Sequence, residues 1–159
     1  MKGNQQHGSV NYGQQVMICR GVRGATTVEE NSREAILGAA HELLAALVRA
    51  NEMQADHVAS VYFTTTPDLT AVYPAVAARQ MGWTDVALLC GQEMLVPDSL
   101  SMCLRVLIHW NTWRAPSEVH HVYLRGAKVL RPDWSERPLV RPVQMNALDA
   151  MARMLAQTK

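Results

Sequence analysis

Every second residue from Leu100 to Trp110 is apolar: Leu100, Met102, Leu104, Val106, Ile108 and Trp110. A period of two predicts a β-strand with one face in the core. The intervening residues Ser101, Cys103, Arg105, Leu107 and His109 then share the opposite face, which sets Arg105 mid-strand and away from the core. A cation in that position snorkels to solvent, pairs with a carboxylate or meets a ligand. The residue by itself leaves the three open.

The same pattern from Val16 to Ala25 predicts a strand in which Cys19, Gly21 and Arg23 alternate with Ile18 and Val22. Gly21 and Gly24 flank Arg23 and permit close approach of another backbone or a ligand. The period then lengthens to three and four: Ile36, Leu37, Ala40, Leu43, Leu44, Leu47 and Val48 form the stripe of a packed amphipathic helix. Asn31 with Glu34 makes a capping box for it, Ser32 is the alternative cap, and Asn51 is the stop. Val58 to Thr66 is β-branched and aromatic, a second strand with Val61 and Phe63 on one face, ending in the polar turn Thr64 to Asp68. Pro74 opens a shorter helix running through Arg79 to Met81, stopped by Gly82, with Tyr73 and Arg79 at its rim.

Val86 to Cys90 is a short apolar strand whose end is expected to deliver Cys90 and Glu93 to a loop beside the Arg105 strand. Val119 to Leu124 is expected as another strand, with Val119, His121 and Tyr123 on one face and His120, Val122 and Leu124 on the other. The adjacent histidines then point apart, which does not suit a shared metal. After Ala127 to Leu130, the run Arg131-Pro132-Asp133 breaks regular structure, and Pro138 and Pro142 keep the chain extended. Leu148, Met151, Met154 and Leu155 complete the pattern as a last amphipathic helix over Val143 to Leu155, whose stripe must dock on this chain or on a partner.

Composition narrows the function. A chain of 159 residues, 48% hydrophobic and 18% charged, is about one domain with a core of its own. A formal net charge of +1 carries no footprint for nucleic acid or an anionic membrane. Cys19, Cys90 and Cys103 are odd in number and lack metal-binding spacing, so we expect reduced thiols, no metal and a cytoplasmic location. The sequence shows no long apolar run and no signal-peptide pattern. Residues 1–15 hold too little apolar surface to offset the entropy of ordering and are expected as a flexible tail. The expected organisation is thus a tail at 1–15, a domain at 16–133, and an extension at 134–159 bearing the last helix.

The string Arg20-Gly21-Val22-Arg23-Gly24-Ala25-Thr26-Thr27-Val28-Glu29 resembles the opening of the monofunctional AroH-class chorismate mutases. The resemblance continues in one register through Thr66-Pro67-Asp68-Leu69, Ala71-Val72-Tyr73-Pro74-Ala75, Cys90-Gly91-Gln92-Glu93-Met94, Cys103-Leu104-Arg105-Val106, His121-Val122-Tyr123-Leu124 and Val129-Leu130-Arg131-Pro132-Asp133. It covers Met17 to Asp133.

The resemblance implies an α+β fold, a mixed sheet packed with helices, that assembles as a homotrimeric pseudo-α/β-barrel with active sites between subunits. It implies no cofactor and a concerted rearrangement of chorismate to prephenate, on the route to phenylalanine and tyrosine. Such a reaction needs no nucleophile. The site must hold a flexible dicarboxylate in a near-attack shape and stabilise charge on the ether oxygen. By motif position Arg105 donates to that oxygen, and Arg23 and Tyr123 bind carboxylate. Glu93 and the Cys90 thiol meet the ring hydroxyl, Tyr73 and Arg79 come from the neighbouring subunit, and Leu130 walls the pocket. Many relatives carry Lys where this chain has Val76, and Phe where it has Tyr73. A non-catalytic trimeric metabolite-binding module and an imine deaminase of RidA-like fold are the alternatives; neither calls for Arg23, Glu93, Arg105 and Tyr123 together.

Overall fold

The computed structural model describes residues 16–135, so the expected tail at 1–15 and the expected helix over Val143 to Leu155 lie outside it. Five strands form one mixed sheet: β1 (Ile18–Thr27), β2 (Val58–Thr65), β3 (Ala87–Gln92), β4 (Cys103–Thr112) and β5 (Val122–Tyr123), in the order β3-β2-β4-β1-β5. The central β4 runs antiparallel to both β1 and β2, whereas β2–β3 and β1–β5 are parallel. Helices α1 (Arg33–Asn51) and α2 (Ala75–Gln80) belong to the fold's main core, and a short α3 (Pro132–Ser135) closes the described chain. Among the described residues no helix is long and apolar enough to cross a membrane.

The period-two reading of β4 holds from Cys103 onward. Leu104, Val106, Ile108 and Trp110 are buried in the main core with Val22, Val61, Phe63 and the α1 stripe Ile36, Leu43, Leu44 and Leu47. Arg105, Leu107 and His109 face the other way and are half-buried. The strand starts later than Leu100 because Met102 adopts a left-handed backbone, φ 50°, fixed by its amide donating to Asp68 Oδ2 at 2.7 Å. Gly24 is where α1 approaches β1: a Cβ there would stand 2.8 Å from Leu47 Cδ1. At Gly21 a Cβ would meet only Leu107, at an ordinary 3.5 Å, so close approach explains one of the two glycines.

The cap of α1 is Ser32, whose hydroxyl accepts the Ala35 amide at 3.2 Å. Asn31 is drawn elsewhere: its side chain accepts the amides of Thr70 and Ala71 and donates to Thr70 Oγ1, tying the helix start to the loop before α2. Asn51 ends α1 fully buried. It donates to His120 O and accepts from His120 N, both at 2.8 Å, a side-chain imitation of strand pairing. That clamp explains why the expected strand Val119–Leu124 shrinks to Val122–Tyr123: His120 gives both its backbone groups to Asn51 of α1, and the Val119 amide donates back to Pro116 O, rather than to a ladder. The face assignment fails at Val119, which joins the main core, and holds beyond it, where Val122 and Leu124 pack on that core and Tyr123 joins a second, smaller one. The expected break at Arg131-Pro132-Asp133 is instead the start of a helical turn, since Pro132 fits a first helical position. A 3-10 stretch, Arg125–Leu130, precedes it.

Candidate active site

Alternation along the strands brings a set of polar side chains to the sheet face that the helices leave open. On β1, Arg23 opposes Leu107; Ala25 opposes Arg105, which opposes Thr64 on β2. Beneath them the second core of Ala25, Cys103, Tyr123 and Ala127, with Leu100, Leu130 and Trp134 packed on it, supports this face. Above it opens a cavity of about 580 Å³ lined by Arg23, Thr64, Glu93, Arg105, Tyr123, Leu130 and Arg131, among others.

Arg105 Nη1 donates to Glu93 Oε2 at 2.6 Å, and Thr64 donates to Glu93 Oε1. Glu93 itself is placed just past β3 by its amide, which donates to Thr65 O at 2.9 Å. The mid-strand cation thus has a carboxylate partner and a cavity together. Both side chains retain roughly a quarter of their exposure, at 28% and 23%. The pair therefore orients Arg105 without sealing it from a ligand.

Tyr123 is 5% exposed and its hydroxyl has no hydrogen-bond partner among the described residues, a buried donor in a wall of the cavity. Burial pushes its phenol above the usual tyrosine value; the charges of Arg23, Arg131 and Arg105 oppose that shift without cancelling it. It stays protonated, able to donate. Arg131 forms a two-point ion pair with Asp133, Nε to Oδ1 at 3.0 Å and Nη2 to Oδ2 at 2.7 Å, and lies over the indole of Trp134.

Five expected site residues, Arg23, Glu93, Arg105, Tyr123 and Leu130, therefore meet in this cavity. The other three do not. Cys90 on β3 pairs with Phe63 on β2, so its side chain takes the core face, opposite to Arg105, and β2 intervenes between β3 and β4. The expectation that Cys90 arrives beside the Arg105 strand is corrected on that ground. Cys90 instead lines a second cavity of about 620 Å³ with Tyr73, Val76, Arg33 and Gly91; Gln92 lines both. Burial raises the Cys90 thiol above its ordinary value, a backbone hydrogen bond from Ala75 and the charge of Arg79 pulling the other way. Arg79 is exposed in the last turn of α2. His120 and His121 do part, the first buried behind Asn51, the second turned to β1, where its Nδ1 accepts the Arg23 amide at 3.0 Å.

Sequence reasoning missed Thr64 and Arg131 as cavity residues. Thr64 was legible: alternation from Val61 and Phe63 puts it on the face of Arg105. Arg131 was not, because its place depends on the turn of 125–130.

A family model for chorismate mutase type I matches residues 19–134. The chain is 51% identical over 117 residues to the chorismate mutase AroH of Thermus thermophilus, covering 73% of this chain and 96% of that one. It is 42% identical over 120 residues to the chorismate mutase AroH of Bacillus subtilis strain 168, covering 75% and 94%. Among solved structures, the chorismate mutase from Clostridium thermocellum superimposes with a TM-score of 0.68 at 45% identity, over 69% of this chain and 98% of that one. With the open-face cavity, these matches establish that the chain belongs to the type I, AroH-class chorismate mutases, a family of isomerases.

Proposed function

We propose that this protein rearranges chorismate to prephenate in the cavity around Arg105. The observation that carries the proposal is the Arg105–Glu93 pair set in an open cavity whose other walls hold Arg23, Arg131 and the unpartnered Tyr123 hydroxyl. In the concerted step the ether carbon–oxygen bond breaks as a carbon–carbon bond forms, so no group on the protein need take a proton or an electron pair. The protein's task is shape and charge. Arg23 and the Tyr123 hydroxyl take substrate carboxylates and fold the flexible side chain over the ring. Arg105 donates to the ether oxygen as negative charge grows there, and Glu93 holds the guanidinium in place while accepting the ring hydroxyl. A preorganised donor of this kind lowers the barrier by about 3 to 4 kcal/mol.

The second cavity supplies the rest of the site from another copy of the chain. Tyr73 and Cys90 line the second cavity and Arg79 lines neither, so we assign all three to the neighbour's cleft. The arrangement is heterologous, one surface meeting a different surface, and closes as a ring. Family membership supports three copies. We place the enzyme in the cytoplasm, where the free thiols Cys19, Cys90 and Cys103 remain reduced.

The test is the purified chain mixed with chorismate, following loss of its absorbance and appearance of prephenate. Catalysed conversion is expected; binding of chorismate without conversion would reduce the protein to a metabolite-binding module.

A further inference from the structure

We infer that His121 and Trp134, which line neither cavity, are positioning residues that hold Arg23 and Arg131 in the geometry the substrate meets. β5 pairs with β1 only from Gly24↔Val122 onward. The ladder therefore offers the Arg23 amide no backbone acceptor, and the His121 imidazole takes that place, Nδ1 accepting at 3.0 Å. The peptide that carries a substrate-binding arginine is thus held by a side chain. The imidazole in turn stacks on Trp134, centroids 3.9 Å apart and planes 27° apart. The Arg131 guanidinium carbon lies 3.3 Å from the centroid of the same indole. Two groups that close cannot share one face without overlapping, so Trp134 is sandwiched between them. Arg23 reaches within 5.9 Å of the indole and the Tyr123 ring within 6.0 Å. One indole therefore organises three cavity-lining residues through stacking and cation–π contact.

The inference rests on Arg23 binding substrate as proposed above. To accept from the Arg23 amide, Nδ1 must be bare.

The experiment compares steady-state kinetics of the full chain with His121→Ala, His121→Asn, Trp134→Ala, Trp134→Phe and Arg23→Ala, together with the amide resonance of Arg23 in wild type and the His121 variants. His121→Ala is expected to raise KM for chorismate about fivefold to tenfold, since an amide loses its acceptor, while kcat stays near wild type. His121→Asn keeps an acceptor oxygen near the Nδ1 position and should restore KM. The Arg23 amide signal should shift in His121→Ala and return toward the wild-type position in His121→Asn. Trp134→Ala should raise KM, and Trp134→Phe, which keeps a stacking ring, should do so less. A normal KM in a folded His121→Ala, beside an impaired Arg23→Ala, would overturn the inference and spare the proposed site. An Arg23→Ala enzyme with normal KM would overturn the site assignment itself.

Discussion

In the proposed site Tyr123 is the residue that would serve the ligand at the expense of the unbound protein. A buried hydroxyl without a partner costs about 1 to 3 kcal/mol relative to a bonded one. Tyr123→Phe removes that cost along with the donor. We predict that the variant melts at or above the wild-type temperature while its KM for chorismate rises; a thermal melt beside initial rates checks both, and a variant that loses stability with KM unchanged would make the phenol structural. Arg105 carries the opposite signature. Arg105→Ala should lower kcat by roughly 10²-fold or more with the fold intact by circular dichroism, because it deletes a charged donor aimed at the developing oxyanion. Arg105→Lys should remain poor, since an ammonium cannot reproduce the fork that holds Glu93 and leaves a donor for the ether oxygen. Wild-type rates in Arg105→Ala would end the mechanism.

At the scale of elements, two side chains decide where strands begin. Asn51 bridges the end of α1 to the backbone of His120, and both bonds are buried. Asn51→Ala would strand a buried N–H and a buried C=O, and we predict a loss of about 2 to 4 kcal/mol in urea unfolding. A loss under about 0.5 kcal/mol, the level of an ordinary surface change, would refute that role. Asp68 sets the start of β4 through Met102. Burial would raise its carboxyl; hydrogen bonds from Thr66 and from the amides of Met102 and Asp68 outweigh it, so the group sits below the usual carboxylate value. A depressed folded pKa stabilises the protein above the unfolded pKa, and the contribution fades as pH falls through the folded value. Wild type should therefore exceed Asp68→Asn in stability at neutral pH, with the gap closing below the ordinary carboxylate range. A gap independent of pH would show that shape rather than charge is at work.

For the molecule as a whole, the proposed sharing of the site between two copies predicts that catalysis is a property of assembly. Tyr62 and Leu89 remain 38% and 64% exposed on the open face of the sheet, and Met94 and Leu95 beyond β3 are 82% and 83% exposed, apolar surface that suits burial against another copy. We predict that light scattering gives three times the chain mass and that specific activity falls on dilution as the ring dissociates. A fully active monomer would refute the shared cleft.

What the sequence by itself determined is what depends on period and local chemistry. The apolar stripe of α1, the alternation that turned Arg105 and Arg23 away from the core, and the order of the family's motifs were all readable, because each is a matter of spacing along one element. Element starts were not, since left-handed Met102 and displaced Asn31 answer to partners more than 30 residues away. Only the tertiary structure decided that Cys90 parts from Arg105. Its strand pairs with β2 rather than with β4, and a side chain's face follows from the pairing register, which no stretch of sequence carries alone. The Arg23–His121–Trp134–Arg131 cluster is of the same kind: 98 residues separate the Arg23 amide from the imidazole that holds it, and the parallel pairing of β1 with two residues of β5 brings them together.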